Sequence, residues 1–215
     1  VLTTELIEGI KISKIDSILE AGLDQKIIAD RLVGLVLKQA FEHGFFHADP
    51  HPGNIFVLAD NVICLVDYGM MGLVDRATRE AFVDLIDSVV HQQEVKTTQV
   101  LLNLTDRDEE PDIRALEREV ADFMGRHFYK PLKDMEIGKL LQDLLHLTMR
   151  FRLRLPPDIF LMIKALSSVE GVGRDATVQA RRVDVRPSAS DVACVGVQAM
   201  YDAAIACVQR HREFA

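Results

Sequence analysis

Apolar and polar residues alternate along this chain with periods that change at a few sharp points. From Asp24 to His43 the apolar positions Ile28, Leu32, Leu35 and Val36 recur at helical spacing, which predicts a helix with one buried face. Asp24 can cap its start, and Gly44 can end it. The period then shortens: IFVL at 55–58 and VICLV at 62–66 are β-rich runs around Ala59, Asp60 and Asn61, the pattern of a tight hairpin. Helical periodicity returns near 76–91, 94–104, 112–129, 136–150 and 157–170, with Pro157 suited to a first turn and Gly171 to a helix end. At Arg174 the composition turns to Arg, Asp, Pro and Ser, which reads as a linker over 175–190, and a last helix of unknown role is expected within 191–215. No internal repeat is visible, and the sum is a mainly α fold with one short β-hairpin.

Composition agrees with that pattern. Of 215 residues 48% are hydrophobic but only 6% aromatic, and tryptophan is absent, so aliphatic side chains must fill the core, as packed helices allow. A net charge of −8 disfavours nucleic acid as the main partner, because neutralising phosphates needs clustered Lys and Arg. The three cysteines, Cys64, Cys194 and Cys207, are widely spaced without a C-x-x-C pair, which points to a reducing, cytoplasmic setting. Even the most apolar stretch, Val192 to Val208, is broken by Gln198 and Asp202, so no membrane span is expected. The chain opens on Val1 without a signal-peptide pattern and reads as a piece of something longer.

The densest chemistry lies at 47–54, HADPHPGN, followed thirteen positions after Asn54 by DYG. Facing residues of an antiparallel pair lie about 4.5–5.5 Å apart at Cα, so the two ends of a short hairpin meet. Asn54 and Asp67 bracket the hairpin and are therefore expected to converge, offering an amide oxygen and a carboxylate. Mg²⁺ accepts hard oxygen ligands of this kind while keeping waters and substrate phosphates. Asp49, on the same loop, is placed to orient or deprotonate a hydroxyl or water attacking a phosphate. Pro50 and Pro52 stiffen the path between Asp49 and Asn54, and Gly53 permits a bend.

His47 and His51 read as anchors for loop backbone, since an imidazole between a helix and a hairpin more often ties down main-chain groups than reacts. A zinc site from His47, Asp49 and His51 is the alternative, but it leaves Asn54 and Asp67 without a role and no cysteine assists it. Elsewhere, MRFRLRL at 149–155 reads as a helix end whose arginines favour the C-terminal dipole while Phe151, Leu153 and Leu155 pack; a basic patch against lipid is the alternative. The acidic run Asp106 to Glu110 reads as a solvated loop before a helix.

In order and spacing, His47-Ala48-Asp49, Asn54 and Asp67-Tyr68-Gly69 resemble the H-R-D-x-x-x-x-N loop and D-F-G triplet of protein kinases. Aminoglycoside and choline phosphotransferases share the aspartate-to-asparagine spacing. The wording HADPHPGN with DYG, however, is most similar to the UbiB family of atypical kinases, also called aarF-domain-containing kinases. VLTTELIEGI at 1–10 resembles that family's hinge between lobes, and LPPDIFLMIKALSSVEGVGR at 155–174 its late helix, so the likeness covers residues 1–174.

The resemblance implies a kinase-like C-terminal lobe that begins at the interlobe hinge. It implies Asp49 as the catalytic-loop aspartate, Asn54 and Asp67 as Mg²⁺ ligands, and Glu5 with Leu6 as the hinge whose backbone meets the adenine of ATP. Family members are tied to ubiquinone or related isoprenoid lipid biosynthesis and act more convincingly as ATPases than as protein kinases, which implies quinone-biosynthesis proteins or isoprenoid lipids as partners and peripheral contact with a membrane. Two departures stand out. Tyr68 replaces the usual phenylalanine, and the chain holds no glycine-rich or alanine-rich nucleotide loop, no strand lysine with its helix glutamate, and no K-x-G-Q segment. These 215 residues are thus expected to carry half a site and to be inactive alone. A reading from another class, a non-catalytic scaffold that keeps the motif for folding or for a partner in a lipid-synthesis complex, stands beside the enzyme.

Overall fold

A computed structural model describes residue 3, residues 5–127 and residues 137–180. Strand β1 (Ile10–Lys11) leads to helices α1 (Ile15–Glu20) and α2 (Gln25–Leu37), and then to β2 (Phe45–His47), β3 (Ile55–Val57), β4 (Ile63–Leu65) and β5 (Met71–Leu73). Five helices follow: α3 (Arg76–Val90), α4 (Glu94–Leu104), α5 (Ile113–His127), α6 (Ile137–Arg150) and α7 (Pro157–Ala180). The fold is mainly helical with two small antiparallel sheets, β1-β3-β4 and β2-β5. No described helix is long and apolar enough to cross a membrane.

The helix expected over 24–43 begins as foreseen, with the Asp24 side chain accepting from the N–H groups of Lys26 and Ile27. Ile28, Leu32, Val36 and Leu37 are buried along one face. Its last turn widens into a π-helical segment, Lys38–His43, which ends at Gly44 in the left-handed conformation, φ +67°. A β-carbon there would lie 2.5 Å from the Val74 oxygen, so glycine alone suits the position.

The hairpin forms as β3 and β4, with Ile55 opposite Leu65 and Val57 opposite Ile63. Asp60 and Asn61 both turn with φ of 58°, a conformation that short polar side chains tolerate. The turn is pinned to α2: the Arg31 guanidinium donates to the carbonyls of Asp60 (2.6 Å) and Asn61 (2.8 Å), and the Asn61 amide oxygen accepts from the Asp24 N–H at 2.7 Å.

The remaining helices fall close to the periodic segments, with one difference at the end. Helix α7 passes Gly171 and runs to Ala180, so the first part of the stretch read as linker is helical. A glycine in a helix interior costs only about 1 kcal/mol against alanine, too little by itself to end a helix whose preceding turns are packed, with Leu166 and Val169 buried. The rest of that linker and the helix expected within 191–215 lie outside the described residues, as do residues 128 and 129 at the end of the expected 112–129 helix.

Helix α2 packs on α7, α3 on α4, and α6 on both α5 and α7. Phe41 and Phe82 stack at 6.3 Å between centroids and are fully buried, together with Leu32, Phe46, Phe123, Ile159 and Met162. The arginine-rich stretch after α6 packs as expected of a helix end: Leu153 is buried, Arg150 pairs with Glu119 at 2.6 Å, and Arg154 with Asp108 at 2.5 Å. The acidic run is exposed at Asp106 and over 108–110, and Asp106 and Arg154 also exchange backbone hydrogen bonds.

Candidate functional site

The motif residues lie where the two sheets meet. Strand β2 runs into 47–54, which enters β3; β4 runs into 66–70, which enters β5. These segments are tied to one another three times: the Ala48 N–H donates to the Met70 oxygen (3.0 Å), the Val66 N–H to the Asn54 oxygen (2.9 Å), and His47 Nε2 lies 3.1 Å from the Val66 oxygen. Strands of two or three residues hold little by themselves. Each is fixed here by a neighbour, and β2 approaches β5 closely because Gly72 faces Phe46: a β-carbon on Gly72 would lie 2.3 Å from the Phe46 ring.

His47 is fully buried. Its Nδ1 accepts the Asp49 N–H at 3.1 Å, so Nε2 carries the proton and donates to Val66, while its own N–H donates to Gln39 Oε1 at 3.2 Å. This is the anchoring role read from the sequence, and both ring nitrogens are thereby taken, leaving neither for zinc. His51 is exposed; its Nδ1 accepts from the Gly53 N–H at 3.0 Å and caps the short 3₁₀ turn Pro52–Asn54. Among the described residues no group of three His, Cys, Asp or Glu side chains is placed to hold a metal.

Asp49 sits at the bend, its backbone oxygen accepting from the His51 N–H (2.7 Å) and from Asn54 Nδ2 (3.3 Å). Its side chain is 39% exposed and faces a cation: Asp49 Oδ1 lies 3.2 Å from Lys164 Nζ of α7. Because Asn54 uses its amide nitrogen on Asp49, its amide oxygen is turned to the opposite side of the group and is free for another partner. Asp67 follows Val66, whose N–H donates to the Asn54 oxygen, so the backbone at the two ends of the hairpin is joined one residue short of Asp67. Asp67 is exposed with φ of 62°, and its Oδ1 accepts from the Gly69 N–H at 3.3 Å. The left-handed backbone is one that a short polar side chain such as aspartate tolerates better than other residues with a β-carbon. Tyr68 is exposed, and its hydroxyl donates to the Leu65 oxygen at 2.8 Å.

The donor chemistry suits a hard divalent cation: an amide oxygen from Asn54 and a carboxylate from Asp67 are ligands of the kind Mg²⁺ accepts. Glu5 and Leu6 lie apart from this network, exposed on the irregular segment before β1, Leu6 at 83%. The sequence reading missed two contributors. Gln39 gave no signal, since its role depends on the π-helical turn. Lys164 did give one, as the lone cation within the apolar run IFLMIKAL at 159–166.

The family model for the ABC1 atypical kinase-like domain matches residues 1–101, and that for the UbiB helical domain matches 120–176. Among curated relatives, the chloroplastic protein ACTIVITY OF BC1 COMPLEX KINASE 7 of Arabidopsis thaliana is 33% identical over 80% of this chain and 25% of its own length. A "Probable protein kinase UbiB" of Photobacterium profundum is 30% identical over 80% of this chain and 32% of its own length, and one of Azotobacter vinelandii is 29% identical over 81% and 33%. The chain thus spans about a quarter to a third of the length of these relatives. With both domain models matched in order and the HADPHPGN and DYG segments cross-tied, the chain belongs to the UbiB family of ABC1 atypical kinase-like proteins.

Proposed function

We propose that the intact protein binds Mg-ATP against segments 47–54 and 66–70 and transfers its terminal phosphoryl group to water or another acceptor, in support of ubiquinone or related isoprenoid lipid metabolism. The observation that carries this reading is that Asn54 is hydrogen-bonded both to Asp49, through its Nδ2 to the Asp49 oxygen, and to Val66, the residue before Asp67, whose N–H donates to the Asn54 oxygen. It is supported by the kinase names of the three relatives given above.

On this reading Asn54 and Asp67 hold the metal, whose charge offsets that of the phosphate oxygens when it is bound. Asp49 orients the attacking oxygen and takes its proton as the new P–O bond forms and the bond to the bridging oxygen breaks, releasing ADP. Rigidity matters here, because transfer depends on positioning and charge more than on covalent chemistry. His47 supplies it by clamping both loops from a buried site. Adenine would meet the backbone near Glu5 and Leu6, and the groups that clasp the nucleotide from its other face would come from outside these 215 residues, so the chain alone would be inactive.

The test compares the intact protein with its Asp67→Ala form by Mg-ATP titration and by release of inorganic phosphate. Loss of affinity by about ten-fold or more, with phosphate release near background, is expected for removal of a metal-ligating carboxylate. Unchanged affinity and rate would exclude the catalytic reading and favour the scaffold.

A further inference from the structure

We propose that Lys164, supplied by helix α7, is a further residue of the phosphoryl-transfer site, where its ammonium holds Asp49 in place and meets the terminal phosphate of the bound nucleotide. The inference rests on the function proposed above and adds a residue from a second part of the chain: Asp49 lies within the ABC1-matched region, Lys164 within the region matched by the UbiB helical domain.

The loop from His47 to Asn54 contains no lysine or arginine, although charge on the equatorial oxygens of a transferred phosphoryl group calls for a cation close to the attacking oxygen. Lys164 Nζ stands at that place, 3.2 Å from Asp49 Oδ1 and 3.7 Å from Met70 Sδ, the residue after Asp67-Tyr68-Gly69. It therefore touches both motif segments from a third direction. An ammonium has three donors; one is spent on Asp49 and the thioether is a weak acceptor, so donor capacity is left over for an anion. The pair is open rather than sealed, with the Lys164 side chain 40% exposed and Asp49 39%, as a site that admits a phosphate must be.

The position is rigid. Met162, Ile163, Ala165 and Leu166 are all buried on either side of Lys164, and α7 packs against α2 and α6 and touches β5. Sliding or turning α7 to withdraw the lysine would expose this apolar set, so the ammonium is delivered to Asp49 by the helical core itself. An exposed ion pair contributes little to folding, so removing its charge is expected to leave stability nearly intact.

The experiment uses the intact protein and its Lys164→Met, Lys164→Arg and Asp67→Ala variants, with kcat and KM for Mg-ATP hydrolysis, equilibrium affinity for Mg-ATP and Mg-ADP, and thermal midpoints. Lys164→Met is expected to lower kcat by about 30-fold or more and to weaken Mg-ATP by about ten-fold, leaving Mg-ADP within about two-fold and the midpoint nearly unchanged. Lys164→Arg should recover most of the loss, because the positive charge returns although its geometry differs. If Lys164→Met keeps the wild-type kcat and the same preference for ATP over ADP while Asp67→Ala abolishes both, the role of Lys164 is overturned and the site stands without it. Equal loss of ATP and ADP binding with a lowered midpoint would assign Lys164 a structural part only and overturn the proposal too. If Asp67→Ala changes nothing, the function itself fails and this inference falls with it.

Discussion

His47 Nε2 lies 3.1 Å from the carbonyl oxygen of Val66, one residue before Asp67, while His47 Nδ1 accepts the N–H of Asp49. One buried imidazole thus sets the spacing between the segment that carries the candidate base and the segment that carries a candidate metal ligand.

Replacing His47 by alanine leaves the Val66 oxygen and the Asp49 N–H without their partner and opens a cavity in a fully buried place. A loss of about 3 kcal/mol in unfolding free energy is expected. Denaturant titration measures it, and a change under about 0.5 kcal/mol would show that the clamp does not exist in solution.

Gly72→Ala should destabilise the β2–β5 ladder, since the added carbon meets the Phe46 ring at 2.3 Å. Overpacking of this kind costs about 1–3 kcal/mol. Combining it with Phe46→Leu should cost less than the two separate losses summed, by about 1 kcal/mol, because the smaller side chain vacates the contested space. Additive losses in the double variant would refute the contact.

At the start of α3, the Thr78 hydroxyl bonds the Asp75 carboxylate at 2.5 Å and the Thr78 N–H bonds it at 3.0 Å; these bonds, the hydroxyl foremost, hold its pKa below the ordinary carboxylate value against a small opposing effect of desolvation. A depressed folded-state pKa means that the contribution is fully present above the ordinary value and is lost as pH falls through the lowered one. Asp75→Asn should therefore be less stable than wild type near neutral pH, with the gap closing in strong acid. Stability curves from neutral pH downward test this, and a gap that widens toward acid would have the wrong sign.

Asp67 adopts φ of 62°, which glycine accepts without strain. Asp67→Gly should fold with an unfolding midpoint no lower than wild type, whereas Asp67→Val should lose about 1–2 kcal/mol from the clash of a branched side chain in the left-handed region. Both should abolish Mg-dependent phosphate release. Equal stability of the two variants would mean that the backbone at 67 is not held left-handed.

The helices were legible because their signal is local and repeated. Arg76–Val90 and Glu94–Leu104 fall within a residue of the periodic segments, and Asp24 and Gly44 mark the limits of the first long helix through chemistry carried by single residues. The hairpin was legible for a similar reason, since Asp60 and Asn61 accept the positive φ that its turn needs. One end escaped: Gly171 was read as a stop, yet α7 runs through it to Ala180.

The strands β1, β2 and β5 were invisible, because two or three residues are too few to display a period and their partners lie far away in the chain: Ile10 pairs with Val57, and Phe45 with Leu73. Lys164 escaped for the same reason, standing 115 positions from Asp49 in number yet 3.2 Å away in space. By itself, then, the order of residues determined which segments are helical, where the hairpin turns and that one loop holds Asp49 and Asn54 while Asp67 follows the hairpin. Only tertiary packing decided that this loop would be clamped by His47 to the segment before Asp67 and faced by a lysine from α7, because contacts between distant segments form only when the apolar faces of the helices and short strands are buried together.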